Sequence, residues 1–432
     1  MSLIEPENLS LPDDWKIAAI GDVYDFTKKP RGLKLSEYPF IPFIPMEYVP
    51  LGKVCIHDFD SKPSAEISSG TYVEKGDFLL AKITPSFENG KQGIVAIDHD
   101  FAYATTEVIP IKAKPNLSDK MYLFYLLLNS EIRHELAGKM EGSTGRQRLG
   151  KNVLSAKKIP LPPTDEQTKI VAVLSAIQQA VELQENLINN TQELKKALMQ
   201  KLFTEGLCGE PQKETEIGLV PESWSVNSIG NFCDVKSGGT PSRNENTYWE
   251  NGKIPWVKTG EIDYCIITET EEHITESGLK NSSAMLFPKG TLLMAMYGQG
   301  ITRGKVAFLG IEAATNQACA AIFPKTEIEI EILFLYYYFE WQYQRIRNLS
   351  HGANQKNLSA TIIKSFEIAY PQVAEQNEIA AIFKSIDRKI QFHTNKKQLL
   401  TELFNTMLHK LMTAEIRVNE LDLTELEQTL AN

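Results

Sequence analysis

Polar loops in each half of the chain carry side chains of the types that contact nucleic acid. Arginine, lysine, glutamine and asparagine reach guanine O6 and N7, adenine N6 and N7, and phosphate oxygens. In the first half, the candidate DNA-binding residues are Lys28, Lys29, Arg31, Ser86, Glu88, Asn89, Lys91, Gln92, Arg146, Gln147 and Arg148. In the second half, they are Lys236, Thr240, Ser242, Arg243, Gln299, Thr302, Arg303, Lys305, Gln355, Lys356 and Asn357. Because solvated loops are often basic, composition alone is weak support for this reading.

No familiar catalytic motif accompanies these loops. Residues 298–305, GQGITRGK, lack the glycine spacing of a Walker A loop, and Val306 stands where a Ser or Thr would bind Mg²⁺. No GxGxxG follows a strand and opens a helix, and residues 161–164, LPPT, lack the polar first residue of an NPPY-like methylation tetrapeptide. The seven histidines show no HExxH grouping. We therefore expect no catalytic residues, no cofactor and no metal.

The elements that must position the loops include two long helices. Residues 162–205 and 371–415 each start with proline and a Glu-Gln pair, then continue for about 40 residues without proline or glycine, well beyond the usual helix length. In a heptad frame, seven of ten a and d positions are apolar in the first helix and eight of ten in the second. This apolar seam predicts a coiled coil, and each helix should be ~60 Å long.

The chain is an internal repeat with a period of 209 residues. Trp15 recurs as Trp224, and Glu166 recurs as Glu375. A β-rich pattern with a polar loop occurs in each half, followed by an amphipathic helix. Each half therefore predicts a mixed α/β head followed by a long helix. The expected domains are a first head at 1–160, a first long helix at 161–206, a second head at 207–370, a second long helix at 371–416, and a tail at 417–432 that would complete the first half.

The two helices are expected to run antiparallel, since repeats with heads at opposite ends can share one seam only in that way. The heptad frame then predicts that Gln184 lies beside Lys397, and that Ile188 lies beside His393. Polar layers of this kind fix the register of a coiled coil at some cost in stability.

The composition is that of a globular chain without an overall basic charge. The 432 residues are 42% hydrophobic and the formal net charge is −10, whereas nucleic-acid-binding domains are usually basic. Any DNA-binding surface should therefore be local, and the isolated chain should bind DNA weakly. Five cysteines without a CxxC pair argue against a disulfide framework. No apolar run reaches the ~18 residues of a membrane span, so we expect a cytoplasmic protein that does not bind membranes.

The order of these motifs resembles the specificity subunits of type I restriction-modification systems. The resemblance covers nearly the whole chain. It is carried by ITPSFENGK at 83–91, SGGTPSR at 237–243, YGQGITRGKVA at 297–307, HGANQKNLS at 351–359 and the two Glu-Gln helix starts. It implies two target recognition domains with mixed α/β folds, joined by two long antiparallel coiled-coil helices. Each domain would read one half of a split, asymmetric sequence in double-stranded DNA.

The resemblance also implies protein partners. Modification subunits, two in number, would dock on the helices and methylate adenine, and restriction subunits would join and cut DNA elsewhere. S-adenosylmethionine, ATP and Mg²⁺ would belong to those partners, while this chain would supply recognition without catalysis. Two alternatives stay open at this point. One is a non-catalytic coiled-coil adaptor whose heads bind protein or glycan, which the acidity favours, and the other is a fused DNA enzyme with a cryptic site.

Overall fold

The structure is a computed structural model that describes residues 11–143, 145–298, 301–325, 330–349 and 357–418. The candidates Gln299, Gln355 and Lys356 lie outside the described residues. The chain divides into two compact units, of which the first is Met1–Asn186 with His393–Asn432 and the second is Leu187–Phe392. Each unit contains one head and one half of each long helix.

A five-stranded sheet forms the centre of each head. In the first head the strands are, in spatial order, Tyr24–Phe26, Val108–Ala113, Phe78–Ala81, Gln92–Val95 and Cys55–Ile56. In the second head they are Cys233–Ser237, Cys319–Pro324, Leu292–Ala295, Val306–Leu309 and Ile266–Ile267. In both sheets the third and fourth strands are antiparallel and the fourth and fifth are parallel. The repeat in the sequence therefore corresponds to two sheets with the same strand order and strand directions.

A four-stranded sheet accompanies each central sheet. Its strands are, in spatial order, Asp60–Pro63, Phe40–Ile44, Phe101–Ala104 and Thr71–Glu74 in the first head, and Glu272–Ile274, Ile254–Val257, Ala313–Thr315 and Leu286–Phe287 in the second. Two hairpins are formed by Glu141–Ser143 with Arg146–Arg148 and by Gln212–Thr215 with Gly218–Pro221. Short α-helices span Ile20–Val23, Lys151–Ala156, Ile229–Phe232, Glu276–Lys280 and Ala360–Lys364. Short 3-10 helices span Leu35–Glu37, Met46–Tyr48, Ser64–Glu66, Asn246–Tyr248 and Thr259–Glu261.

The predicted amphipathic helix of each head is interrupted. It consists of Lys120–Leu126 and Ser130–Ala137 in the first head, and of Ile332–Trp341 and Tyr343–Asn348 in the second. In the first head, the Asn129 side chain accepts hydrogen bonds from the N–H groups of Glu131 and Ile132. This cap starts a new helix and so ends the preceding one, which periodicity alone does not indicate.

In each half, the strand that follows the repeated tryptophan pairs with the strand that precedes the long helix. Lys16–Ala19 is antiparallel to Lys158–Leu161, and Ser225–Ser228 is antiparallel to Glu367–Tyr370. Lys16 lies opposite Leu161 and Ser225 lies opposite Tyr370, so both members of the second pair follow those of the first by 209 residues. Trp15 and Trp224 themselves are buried in the cores.

The long helices are Thr164–Glu205 and Val373–Met412, close to the predicted ranges. In the first unit, Phe404 and Met407 of the second helix pack on the core that contains Ile170 and Leu174 of the first. In the second unit, Phe203 of the first helix stacks on Phe383 of the second, with ring centroids 5.5 Å apart. The start of each helix thus packs beside the end of the other, and the predicted antiparallel coiled coil is confirmed.

Polar side chains near the middle of the coiled coil form two contacts between the helices. Gln184 Oε1 lies 2.8 Å from His393 Nδ1, and these two residues are 209 positions apart, which is the repeat period. Lys397, the predicted partner of Gln184, instead pairs with Glu185 at 3.5 Å. Lys397 therefore lies beside the residue that follows Gln184, and the pairings of Gln184 with Lys397 and of Ile188 with His393 stay predictions.

A buried glutamine at the start of each long helix fastens the head to that helix. Gln167 Oε1 accepts the Asp119 N–H at 2.8 Å, and Gln376 Oε1 accepts the Glu331 N–H at 2.8 Å. Each Nε2 donates at 2.9 Å to the carbonyl oxygen of the proline five residues earlier. Both side chains are fully buried. The glutamine of each Glu-Gln pair therefore forms the same hydrogen bonds between a head and its long helix.

We expect Gln167→Ala to lower the free energy of unfolding of the first unit by about 2–3 kcal/mol, because it leaves buried backbone groups without hydrogen-bond partners. Gln376→Ala should have the same effect on the second unit. Gln398→Ala, at an exposed position of the second long helix, is the control. Urea denaturation followed by circular dichroism measures the effect. Curves of the two buried variants that overlay the control would contradict the assigned role.

Candidate nucleic-acid interface

Two of the predicted loops of the first head lie side by side. The Thr84 N–H donates to the carbonyl oxygen of Gln147 at 3.0 Å, and the Leu149 N–H donates to that of Lys82 at 2.7 Å. These bonds join the loop at residues 82–91 to the hairpin that carries Arg146, Gln147 and Arg148. The two segments therefore form one polar surface.

Arg148 is half exposed and is held by Glu107. Its Nε and Nη2 donate to the two carboxylate oxygens of Glu107 at 2.9 and 2.7 Å. The hydrogen bonds from Arg148 hold the pKa of the Glu107 carboxyl below its ordinary value, and the nearby charges of Lys82 and Arg146 act in the same direction. The surface therefore carries three cations around one carboxylate.

The loop with Lys28, Lys29 and Arg31 belongs to the same region. All three of these side chains are exposed. Lys151 Nζ lies 4.3 Å from the centre of the Phe26 ring, and Phe26 stands two residues before Lys28. Since Lys151 begins the helix after the hairpin, the start of this loop lies beside the segment that follows the hairpin.

Two of the candidates in the first head have structural roles. Gln92 is only 1% exposed, its Nε2 donates to the carbonyl oxygen of Phe124 at 2.7 Å, and its Oε1 accepts from Arg133 at 2.6 Å. A buried amide with both ends bonded cannot reach a duplex, so the structure removes Gln92 from the candidate interface. Lys91 donates to the carbonyl oxygen of Met46 at 2.9 Å and is partly tied to the protein.

The remaining candidates of that loop are accessible. Glu88 and Asn89 are exposed, and Ser86 is half-buried. Glu88 accepts a hydrogen bond from the Thr84 hydroxyl at 2.9 Å. Gly90, at φ 91°, closes the loop before Lys91, and such a φ favours glycine.

In the second head, Arg243 is the most strongly fixed candidate. Its guanidinium carbon lies 3.7 Å from the centre of the Trp249 ring, and Nη1 donates to Glu272 at 2.5 Å. This ion pair holds the pKa of the Glu272 carboxyl below its ordinary value. Thr240, in the same loop, donates its hydroxyl to Gln317. Arg243 of the SGGTPSR segment is therefore half exposed and is held by an aromatic ring and a carboxylate.

The other described candidates of the second head lie on separate segments. Lys305 pairs with Asp263 at 2.5 Å, and Arg303 Nη2 donates to the carbonyl oxygen of Arg347 at 3.4 Å. Thr302 is half-buried, whereas the side chains of three further candidates are exposed: Lys236, Ser242 and Asn357. The N–H of Leu358 donates to the carbonyl oxygen of Met296 at 3.0 Å, as Leu149 does to Lys82 in the first head.

Several neighbours of these loops carry no signal in the sequence. Glu107 and Glu272 are acids within a surface expected to bind an anion, and Trp249 is an aromatic residue in an ordinary polar loop. Each lies next to its arginine only through long-range folding. Within the described ranges no group of His, Cys, Asp and Glu side chains could hold a metal ion. No helix in the described part of the chain is long and apolar enough to cross a membrane.

Comparisons with known proteins give the family. A family described as the type I restriction modification DNA specificity domain matches residues 12–193 and again residues 221–402. The MjaVIII type I restriction enzyme specificity subunit of Methanocaldococcus jannaschii is 26% identical over 433 residues, covering 97% of this chain and 96% of that protein. The EcoR124I/EcoR124II specificity subunit of Escherichia coli is 26% identical over 67% of this chain and 69% of its own length.

Solved structures agree on the fold. The crystal structure of a type I restriction-modification S subunit from M. genitalium superposes with a TM-score of 0.60, covering 94% of this chain and 98% of that one at 17% identity. The second family match starts 209 residues after the first, which is the period found in the sequence and in the strand pairing. The chain therefore belongs to the type I restriction modification DNA specificity family.

Proposed function

We propose that this chain is the sequence-specific DNA-recognition subunit of a type I restriction-modification complex. The observation that carries the proposal is that one head topology occurs twice on an antiparallel helix pair, in a chain that matches the DNA specificity family twice. Specificity subunits supply recognition and are not enzymes. The alternative of a protein- or glycan-binding adaptor gains no support from the comparisons.

The two heads are proposed to read different half-sites. We assign residues 1–160 and 207–370 to two target recognition domains, 161–206 and 371–416 to the helices, and 417–432 to a segment that completes the first half. The heads share their strand order, whereas the candidate loops differ in sequence between them. Two heads with the same strand order but different loop sequences would bind two different half-sites, as an asymmetric, bipartite DNA site requires. All candidate residues except Gln92 remain proposed DNA contacts.

The outer surface of the helices is the proposed docking site for modification subunits. Leu183 and Phe392 are 56% and 61% exposed, and Leu194 and Leu403 are 52% and 45% exposed. The members of each pair are 209 positions apart, so the same apolar positions recur in both repeats. Exposed apolar positions often mark protein interfaces, and their duplication fits two copies of one partner. Restriction subunits would join this assembly, and the methyl donor and nucleotide would be bound by the partners.

A cytoplasmic location is proposed on two grounds. All five cysteines are free, among them the buried Cys233 and Cys319, which fits a reducing compartment. The proposed substrate, double-stranded DNA, and the proposed partners are found in the same compartment.

The decisive test is to express the chain with the modification subunits of its own system in cells that lack adenine methylation. Single-molecule sequencing should then reveal one split, asymmetric motif with methylated adenines in both halves. Omitting the chain should abolish all methylation, because the partners would lack target recognition. A motif that persists without the chain, or the absence of any motif with every subunit present, would refute the proposed function.

A further inference from the structure

The ion pair between Arg148 and Glu107 leaves one edge of the guanidinium available. A guanidinium has five N–H donors in a fixed planar fork. Glu107 takes the side edge, formed by Nε and one N–H of Nη2. Among the described residues, Glu107 is the acceptor that binds the Arg148 guanidinium. The Arg148 side chain is 47% exposed. The terminal edge, formed by Nη1 and the other N–H of Nη2, can therefore meet a pair of acceptors outside the head.

The backbone of Arg148 is fixed as well. Arg148 forms an isolated antiparallel bridge with Ile83, and the neighbouring residues Gln147 and Leu149 bond the same loop through Thr84 and Lys82. The side chain is thus anchored at the Cα by the two loops and at the guanidinium by Glu107. An arginine held at both ends is preorganised to present its terminal edge in one orientation.

We propose that Arg148 reads a guanine in the half-site of the first head, and that Glu107 is the positioning residue that orients it. The proposal rests on the proposed function of the heads as DNA readers. Two parallel N–H donors match guanine O6 and N7 in the major groove, which is the commonest specific contact of arginine with DNA.

The charge of the pair favours a base over a phosphate. The carboxylate of Glu107 neutralises Arg148 and would repel a phosphate placed against the same guanidinium. The terminal N–H groups keep their geometry for the neutral acceptors of a base. Lys82 and Arg146 lie in the same cluster and are the better groups for the DNA backbone. The cluster would therefore divide base reading from phosphate binding.

The second head has no acid at the position of Glu107. Val108 lies opposite Ala81 in the first sheet, and Cys319 lies opposite Ala295 in the second. Val108 and Cys319 are thus equivalent, and the residue before Cys319 is Ala318, where the first head has Glu107. Removal of Glu107 should accordingly change one half-site and leave the other unchanged.

The experiment compares Glu107→Gln, Glu107→Asp and Arg148→Lys in the full chain assembled with its modification subunits. Methylation of a randomised target library measures the base preference at every position of both half-sites. Glu107→Gln should reduce the preference for guanine at one position of the first half-site by about 10–100-fold, while Glu107→Asp should retain part of it. Glu272→Gln is the matched control, since it removes the equivalent type of partner from Arg243 and should leave the first half-site intact.

Replacement of guanine by 7-deazaguanine distinguishes a base contact from a phosphate contact. The modified base should weaken binding of the wild-type complex and have no further effect on Arg148→Lys. The proposal is overturned if Glu107→Gln keeps the wild-type preference at all positions, or if Arg148→Lys weakens all sequences equally and lowers the salt dependence by about one phosphate contact. Thermal unfolding of each variant shows whether the fold persists. A wild-type complex without any bipartite preference would overturn the proposed function and this proposal together.

Discussion

Insertion of one heptad into each long helix, after Gln184 and before His393, is expected to lengthen the spacer between the two half-sites by about three base pairs. Seven helical residues add ~10.5 Å at ~1.5 Å per residue, and B-DNA rises ~3.4 Å per base pair. Because the insertion is a whole heptad, the a and d positions on both sides stay on the same face. Gln184 and His393 contact each other, so an insertion next to both residues lengthens the two helices at the same level. The helix segments on each side of the insertion then keep their own pairing.

The measurement is the methylation motif of the variant, mapped in cells that contain the modification subunits. Both half-site sequences should be unchanged, since the heads are intact, and only the number of unspecified bases between them should grow. The matched control carries the same heptad in the first helix alone, which shifts one helix against the other and should reduce stability and methylation. If the double insertion folds and methylates with the original spacer, the helices do not set the distance between half-sites.

Arg417→Ala is expected to destabilise the first unit by about 3 kcal/mol and to leave the second unit unchanged. Arg417 donates from Nε and Nη2 to the carboxylate of Glu166 at 2.7 and 2.7 Å, and it also binds Asp14 at 3.1 and 2.8 Å. Glu166 is only 4% exposed, and Trp15 Nε1 donates to it at 2.9 Å. Without Arg417, a buried carboxylate would lose its only cation among the described residues.

The described part of the second repeat lacks this ion pair and provides the internal comparison. Glu375, the counterpart of Glu166, accepts the Leu207 N–H at 2.9 Å, and Cys208 occupies the position equivalent to Arg417. Lys396→Ala, an exposed charge on the second helix, is the matched control. Calorimetry should show an earlier transition for one unit only. Equal unfolding of Arg417→Ala and the control would contradict the role assigned to Arg417.

The effect of Arg417 should depend on pH. The hydrogen bonds from Arg417 hold the pKa of the Asp14 carboxyl below its ordinary value of 3.8. A depressed folded-state pKa stabilises the fold above the unfolded value and loses that contribution as the pH falls through the folded one. The stability gap between wild type and Arg417→Ala should therefore be full near neutral pH and should narrow below about pH 4.

The repeat and the long helices could be predicted because their signals are local and periodic. Proline and the Glu-Gln pair mark each helix start, and the apolar seam marks its length, so the ends differ from the prediction by only a few residues. The hydrogen-bond partner of Gln184 could not be predicted in the same way. The heptad frame places Gln184 in a central layer, whereas its bond to His393 depends on the side-chain conformations that local packing selects.

The candidate interface was predictable at the level of loops but not of single side chains. Lys91 and Gln92 are neighbours in a polar stretch, yet Gln92 begins a buried strand and bonds Arg133, which is 41 positions away. Glu107 and Arg148 are likewise 41 positions apart, and no local sequence pattern predicts that they form an ion pair. Partners of this kind are set by sheet order and loop packing, which composition and periodicity do not encode.

The contact between Gln184 and His393 has a consequence for chains of half this length. The two residues occupy equivalent positions in the two repeats and contact each other across the helix pair. A chain of half this length could therefore build the same coiled coil with a second copy of itself. Gln184 would then face another Gln184, and two carboxamides are mutually complementary because each has a donor and an acceptor. Such a homodimer would carry two identical heads and would read a palindrome, whereas two different heads on one chain permit an asymmetric target.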